Sequence, residues 1–213
     1  VSVSGSIRPE QAVLAIDTAT EAPGVALHVH DRTLVRPIGW RASFRETGPA
    51  ASSLLEAAGT TLDALAALVV PAGPGSFTGL RVGASMALGL ARARTIPLHA
   101  VPTLEAVAAA YASPQAERVC AVLDARRGRW YAALVERDPR GWRAGEPQDL
   151  LPAAARALAG SAPLVGAPVA TEPAGPAPVA SALLELVITA PERYRLGKPA
   201  DLRLAYARTG VEP

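Results

Sequence analysis

Residues 65–94 read L-A-A-L-V-V-P-A-G-P-G-S-F-T-G-L-R-V-G-A-S-M-A-L-G-L-A-R-A-R, and no other stretch constrains the fold as much. A glycine turn here joins a buried strand to an unusually apolar helix. Residues 65–72 are a short apolar run bounded by glycine and proline, the pattern of a strand covered on both faces. Gly73-Pro74-Gly75-Ser76 makes the turn, and Ser76 is placed as the N-cap of a helix starting at Phe77. Gly79, Gly83 and Ala87 follow at four-residue spacing, so one face of that helix is nearly bare of side chain. Leu80, Val82, Met86, Leu88 and Leu90 cover much of the rest. A helix apolar nearly all round must be covered by its own sheet and by something else.

The loop does not match the common nucleotide-binding patterns. A P-loop needs lysine followed by Ser or Thr at the helix start, and the only lysine of the chain is Lys198. A dinucleotide fingerprint needs glycine where Thr78 stands, and an acidic partner further on. No Asp or Glu occurs between Asp63 and Glu105. Pro74 also removes a backbone N–H that would cradle an anion. In Gly75-Ser76-Phe77-Thr78-Gly79 the centre is phenylalanine, so the serine-hydrolase elbow fails as well. On motif grounds the glycines serve close helix packing.

Half of the 213 residues are hydrophobic, enough for one large domain or two small ones with real cores. Aromatics make up only 4%, so those cores must be built from Ala, Val and Leu. The excess of Ala, Arg, Pro and Gly reads as a GC-rich coding bias. A net charge of +2 is compatible with a nucleic-acid partner nearby and too weak to imply direct binding. Cys120 is alone, which excludes a disulfide framework and fits a reducing compartment. Residues 1–11 are small and polar without an apolar core, and read as a lead-in rather than a signal peptide. No apolar run free of glycine, proline and charge approaches spanning length. The expected location is cytoplasmic, with no membrane partner.

Along the chain, residues 13–16 read as a strand ending at Asp17, residues 24–30 as its hairpin partner, and residues 33–40 as a third strand. Residues 46–59, with Leu54, Leu55, Ala57 and Ala58, read as a helix closed by Gly59. After the segment described above come a short strand at 97–101 and a helix to about Ala112, capped by Thr103. The opening then repeats. V-L-A-I-D-T-A-T-E-A-P-G-V-A-L-H-V-H-D, ending at Asp31, is echoed by V-C-A-V-L-D-A-R-R-G-R-W-Y-A-A-L-V-E-R-D, ending at Asp138. Asp17 and Asp124, Leu27 and Leu134, and Asp31 and Asp138 all pair at one offset (124 − 17 = 107). The economical reading is an α/β fold of two β-β-β-α-β-α units, the first over 1–110 and the second, smaller and degenerate, over 111–213. Beyond Gly141 the second copy dissolves into Pro/Ala/Gly-rich connections, with residues 183–188 the one convincing helical or buried run.

Three clusters could carry chemistry. Asp17 with Thr18 and Thr20 sits where a phosphate or metal could meet a strand end, or where the same residues satisfy a tight hairpin; the second reading is preferred. His28 and His30, beside Asp31, share a strand face, but a metal site needs three or four ligands and His99 is the only other histidine. An exposed edge strand is the expected home for them. Arg126, Arg127 and Arg129, with Trp130 and Tyr131, could contact RNA phosphate and bases, or make a solvated turn, which is preferred. No nucleophile with its base is visible, so no catalytic residue is assigned. No metal- or cofactor-binding residue is assigned either.

Taken together, L-A-I-D-T-A-T-E at 14–21 and G-P-G-S-F-T-G-L-R-V-G at 73–83 resemble the TsaB family, also called YeaZ. V-P-T-L-E-A at 101–106, L-D-A-R-R-G at 123–128 and L-A-Y-A-R at 204–208 add support, so the likeness runs over nearly the whole chain. The resemblance implies the two-lobed actin-like, Hsp70-like (ASKHA) fold, which agrees with the internal echo. It also implies a non-catalytic scaffold that forms a heterodimer with TsaD. That pair helps to install the threonylcarbamoyl group on the adenosine next to the anticodon of tRNAs reading A-starting codons. In the implied pathway a separate synthase makes threonylcarbamoyl-AMP, TsaD transfers the group, and the ATPase TsaE binds the assembly. The chain then meets tRNA only through the complex, and uses no cofactor of its own. The old glycoprotease label of the family finds no protease site here.

The partner surface is expected on two helices. It takes Leu54 and Leu55 from the first, and Thr78, Gly79, Val82, Gly83, Met86 and Leu90 from the second. Because an apolar helix face needs a cover, a two-fold homodimer through this surface is expected when the chain is alone. The sequence departs from the family where relatives usually carry His followed by Ser or Thr before the first helix; here Ser43-Phe44 stands. Thr47-Gly48-Pro49 also makes a poor helix start. Two other classes stay open: a small-molecule kinase of the actin-like fold, and a self-associating structural protein.

Overall fold

The computed structural model describes residues 7, 11–171 and 175–206. The expected lead-in therefore lies outside the described residues except for Ile7 and Gln11, as do Ala207 and Arg208 of the terminal motif. The first sheet takes β1 (Ala12–Asp17), β2 (Gly24–Val29), β3 (Arg32–Pro37), β4 (Leu65–Pro71) and β5 (Leu98–Val101) in the order β3-β2-β1-β4-β5. β1, β2 and β3 form an antiparallel meander, and β4 and β5 add in parallel beside β1. Every residue of β1 is buried, as a central strand covered on both faces requires.

The second sheet repeats this plan with losses. It contains β6 (Arg118–Arg126), β7 (Arg129–Asp138), β8 (Gly141–Ala144), β9 (Gln148–Leu150) and the two-residue β10 (Leu164–Val165). Its order is β10-β6-β7-β8, with β9 pairing to β7. β6, β7 and β8 again form the meander and β10 lies parallel to β6, as β4 does to β1. The echoed Asp17 and Asp124 stand in equivalent places near the ends of β1 and β6. Their hairpins close differently. Arg127 and Gly128 make a two-residue turn with positive φ at both positions, the twist-matched hairpin geometry. The first copy spends the longer 18–23 stretch instead.

Among the described residues six α-helices complete the layers: α1 (Ser43–Ala57), α2 (Phe77–Arg94), α3 (Thr103–Tyr111), α4 (Pro152–Ala159), α5 (Pro178–Thr189) and the single-turn α6 (Pro191–Tyr194). α1 and α2 lie on the outer face of the first sheet, over a core that includes Leu14, Ile16, Leu27, Leu68 and Leu98. α4 covers the outer face of the second sheet around Cys120, Val122 and Ala132. α3 and α5 fill the middle layer. They are exchanged: α3, from the first half of the chain, packs on β6, β7 and β8, whereas α5, from the second half, packs on β1, β2 and β4. The segment after α6 also returns to the first sheet, where the N–H groups of Leu196 and Ala205 donate to the carbonyls of Leu98 and Ala72. The two sheets thus fall on either side of Ala112–Glu117 in sequence, while the segments that cover them cross that line.

Several expected elements shift. α1 begins at Ser43 rather than at 46 and carries Pro49 inside it. Burial of Ala50, Ala51, Leu54 and Leu55 against the sheet outweighs the poor propensity of Gly48 and Pro49. Its C-terminus is the expected one: Gly59 has φ +64 and the N–H of Thr60 reaches back to the Leu55 carbonyl. Thr103 does not cap α3. The N-cap position belongs to Pro102, and the Thr103 hydroxyl accepts the N–H of Gly73 at 3.0 Å, tying the glycine turn to the next helix. α4, β8 and β9 stand where only connections were expected, because each is too short or too alanine-rich to show a period. The helical run at 183–188 is the centre of α5.

The bare face of α2 is spent inside its own lobe. A Cβ on Gly79 would stand 1.8 Å from the Thr18 carbonyl oxygen, and one on Gly83 would stand 2.7 Å from Thr18 Oγ1. Gly89, on the outer side, has nothing within 4 Å. Gly79→Ala should therefore lower stability by more than about 2 kcal/mol, because backbone rather than a flexible side chain must yield. Gly89→Ala should raise stability by up to about 1 kcal/mol through helix propensity alone. Urea unfolding of the two variants checks this, and equal effects would contradict the packing described.

Candidate functional site

Two hollows adjoin the start of α2. The smaller, of about 230 Å³, lies between the sheets at the ends of β1 and β6 and is lined by Thr20, Glu21, Trp40, Ser76, Phe77, Asp124, Arg126 and Tyr131 among others. The larger is a groove of about 650 Å³ between the N-terminal halves of α1 and α2. Phe44, Arg45, Thr47, Gly48 and Pro49 form one wall; Phe77, Thr78, Arg81, Val82, Ser85 and Met86 form the other.

The glycine turn sets the position of both. Ser76 caps α2 as expected, its Oγ accepting the N–H of Gly79, while its own N–H donates to the Ala19 carbonyl at 2.9 Å. Thr18 Oγ1 donates to the Gly79 carbonyl at 2.6 Å. The two sequence motifs, around Asp17 and around Gly75, are therefore one interlocked structure. Asp17 is fully buried within it and serves the turn: its carboxylate accepts the N–H of Ala19 at 2.8 Å and of Thr20 at 3.3 Å, and the Thr20 hydroxyl. Burial dominates these hydrogen bonds and pushes its pKa up to about 6.

In the cleft, the Glu21 carboxylate accepts the N–H of Asp124, joining the two hairpins, and burial raises its pKa as well. Arg126 bonds Asp124 at 3.0 Å and lies 4.4 Å over the Trp40 ring. The arginine cluster read from sequence is thus dispersed. Arg129 is held by Asp149 at 2.6 Å, Arg127 forms the exposed hairpin turn, and Arg156 rather than a neighbour in sequence lies over Trp130. His28 and His30 are corrected in place. β2 is flanked by β1 and β3, so His28 is not on an edge strand, and His30 lies in the turn after it. Among the described residues no group of three His, Cys, Asp or Glu could hold a metal ion. His99, on β5, is buried with Nδ1 unpartnered, and burial pulls its pKa down to about 4.

Of the eight residues assigned to a partner surface, the structure brings Thr78, Val82 and Met86 together in the groove. Leu90 lies half-buried further along α2. Leu54 and Leu55 are core residues, and Gly79 and Gly83 face Thr18, so these four belong to packing within the lobe. Sequence reasoning missed Phe44, Arg45, Pro49, Phe77 and Arg81. Phe44, one of the two residues at the departure from the family, is 82% exposed and Phe77 is 54% exposed. They are the only phenylalanines of the chain, and both line the groove. Two exposed phenylalanines in so aromatic-poor a sequence were the available signal. Arg81 stacks 3.8 Å over Phe77, and its Nε donates to the Tyr206 hydroxyl at 3.4 Å. Tyr206 in turn packs on Phe77 with ring centroids 5.3 Å apart.

Two sheets of the same β-β-β-α-β plan, with helices exchanged between them, define an actin-like α/β protein. The profile of the family described as "TsaD: tRNA N6-adenosine threonylcarbamoyltransferase" matches residues 38–149. The tRNA threonylcarbamoyladenosine biosynthesis protein TsaB of Escherichia coli is 40% identical over 143 residues, 65% of this chain and 62% of that protein. TsaB of Bacillus subtilis is 35% identical over 132 residues, 58% of this chain and 55% of that one. These alignments span little more than half the length of the relatives. Among solved structures, YeaZ from Pseudomonas aeruginosa superposes with a TM-score of 0.74 at 27% identity, covering 92% of this chain and 99% of that one. The chain belongs to the TsaB (YeaZ) family, within the TsaD-like proteins. No helix among the described residues is long and apolar enough to cross a membrane.

The shifted groups fix how stability responds to pH. The Asp17 pKa rises from 3.8 to about 6, so the folded state holds an extra proton and gains stability as pH falls through that window. The His99 pKa falls from 6.5 to about 4, so the unfolded state takes the proton first and stability is lost over an overlapping range. The two oppose each other. Relative to wild type, Asp17→Asn should lose stability more steeply between pH 7 and 4, and His99→Gln should lose less or gain. Melting temperatures across that range decide it; profiles parallel to wild type in both variants would refute the assignment.

Proposed function

We propose that this chain is a non-catalytic subunit in threonylcarbamoylation of the adenosine next to the anticodon of tRNAs reading A-starting codons. It acts by forming a heterodimer with a TsaD-type transferase in the cytoplasm. A TsaE-type ATPase joins the assembled pair, and tRNA meets this chain only through the complex. The observation that carries this reading is the groove between α1 and α2, with two exposed phenylalanines and the outer side of an apolar helix at one place. Exposed aromatics around a concave apolar surface are the usual anchors of a protein interface. The biosynthetic role named for the curated relatives supports it.

A kinase-like reading draws less support. Of the residues lining the cleft between the sheets the one arginine, Arg126, already pairs with Asp124, so the lining offers no unpaired cation to a polyphosphate. Self-association of the isolated chain through the same groove belongs to the proposal, in competition with the transferase.

Reconstitution of the modification with synthase, TsaD, TsaE and tRNA, with and without this chain, tests the reading. Modification should depend on the chain, and equal yield without it would overturn the proposal. Phe44→Ala should leave stability within about 0.5 kcal/mol of wild type, since the ring is exposed. The same change should weaken TsaD binding by about tenfold or more, near 1.4 kcal/mol, and lower the modification yield with it.

A further inference from the structure

Charge distinguishes the partners that this groove could take. α2 carries Arg81, Arg92 and Arg94 and no acidic residue. Among the described residues the groove is lined by two arginines, Arg45 and Arg81, and by no carboxylate. Arg45 is exposed and makes no ion pair among the described residues. Arg81 is held by the Phe77 and Tyr206 rings, which fix its charge at the wall without neutralising it. The nearest acidic residue in sequence, Glu46, is turned to the backbone N–H of Gly39 at 2.9 Å and does not line the groove.

We infer that the groove is built for a protein face that is apolar at its centre and carries carboxylates opposite Arg45 and Arg81, and that the same two arginines oppose pairing of two copies of this chain. The inference rests on the groove being the TsaD-binding surface. A two-fold contact sets the same patch against itself, so two positive charges on one copy meet two on the other. Like charges brought together at a partly desolvated contact are costly, whereas opposite charges there fix register and speed encounter. The homodimer is therefore a weak competitor, and an acidic partner displaces it. Arginine beside phenylalanine would also suit single-stranded RNA. Pro49, Val82 and Met86 give the groove an aliphatic floor on which no base stacks, which favours protein.

The test uses the full chain, the Arg45→Glu/Arg81→Glu double variant and the TsaD-type protein of the same organism. Arg81→Lys is the control for lost packing on Phe77, since it keeps the charge. At low salt the double variant should bind TsaD at least about tenfold more weakly than wild type. The difference should shrink as salt rises to about 0.5 M, where screening acts over a few ångströms. Arg81→Lys, which keeps the charge and loses the stacking, should lose clearly less affinity than the double variant and keep the salt dependence of wild type. Wild-type self-association, followed by sedimentation, should strengthen with salt. A mixture of wild type and double variant should form more mixed dimer than the statistical half, since each patch then meets its opposite. Equal or tighter TsaD binding by the double variant, homodimers that weaken with salt, or a statistical mixture would each overturn the inference. So would loss of tRNA binding in the double variant with TsaD binding intact, which would assign the arginines to RNA. Wild type that fails to bind TsaD, while mixed dimers still form preferentially, would defeat the functional proposal and leave the charge of the groove established.

Discussion

Thr18 meeting the glycine face of α2 is the contact on which the rest of this structure depends. Gly79 and Gly83 let the helix lie so close to the end of β1 that a methyl group at either position would strike Thr18. The hydroxyl of Thr18 then bonds the helix backbone at Gly79, and Ser76 bonds back to Ala19. Helix and strand end become one body, with Asp17 buried inside the turn that makes this possible. Fixing α2 so closely to the sheet on one side leaves its other side, with Val82 and Met86, standing beside α1 as the wall of a groove.

A second constraint acts on the middle layer. α3 and α5 each leave the half of the chain that makes them and cover the sheet of the other. Alanine makes this feasible: Ala106, Ala108, Ala180 and Ala182 are buried where two sheets and two helices converge. With so few aromatics available, close approach of small side chains replaces bulk as the source of packing. The ion pair of Arg193 with Glu105, at 3.0 Å, adds a polar tie between α6 and α3 in the same region.

Much of the first sheet was legible in the sequence because its signals are local. The strand at 13–16 and its hairpin partner at 24–30, the Ser76 cap and the Gly59 stop each depend on a few neighbouring residues and stand close to where they were read, although β2 is buried on both faces rather than alternating. The repeat at an offset of 107 was legible for the same reason. What stayed hidden depends on tertiary contact. Nothing local says that Gly83 faces Thr18 rather than a partner, that Leu54 and Leu55 are core, or that α5 crosses to the other sheet. α1 starting at Ser43 is also a tertiary effect, since propensity at Gly48 and Pro49 argues against it. The groove itself needed two helices to be placed side by side; Thr78, Val82 and Met86 were read from sequence as a partner face, whereas Phe44 and Phe77, which line it with them, were not.

The proposed site for a transferase partner is the outward side of the α1/α2 pair, and not the cleft between the sheets. Amide hydrogen exchange of the full chain, with and without a saturating TsaD-type protein, tests it most directly. Added protection is expected over residues 44–49 and 77–86, with the hairpin at 124–131 exchanging as it does in the free chain. Protection centred on the 124–131 hairpin and the cleft, with the groove helices unchanged, would contradict it.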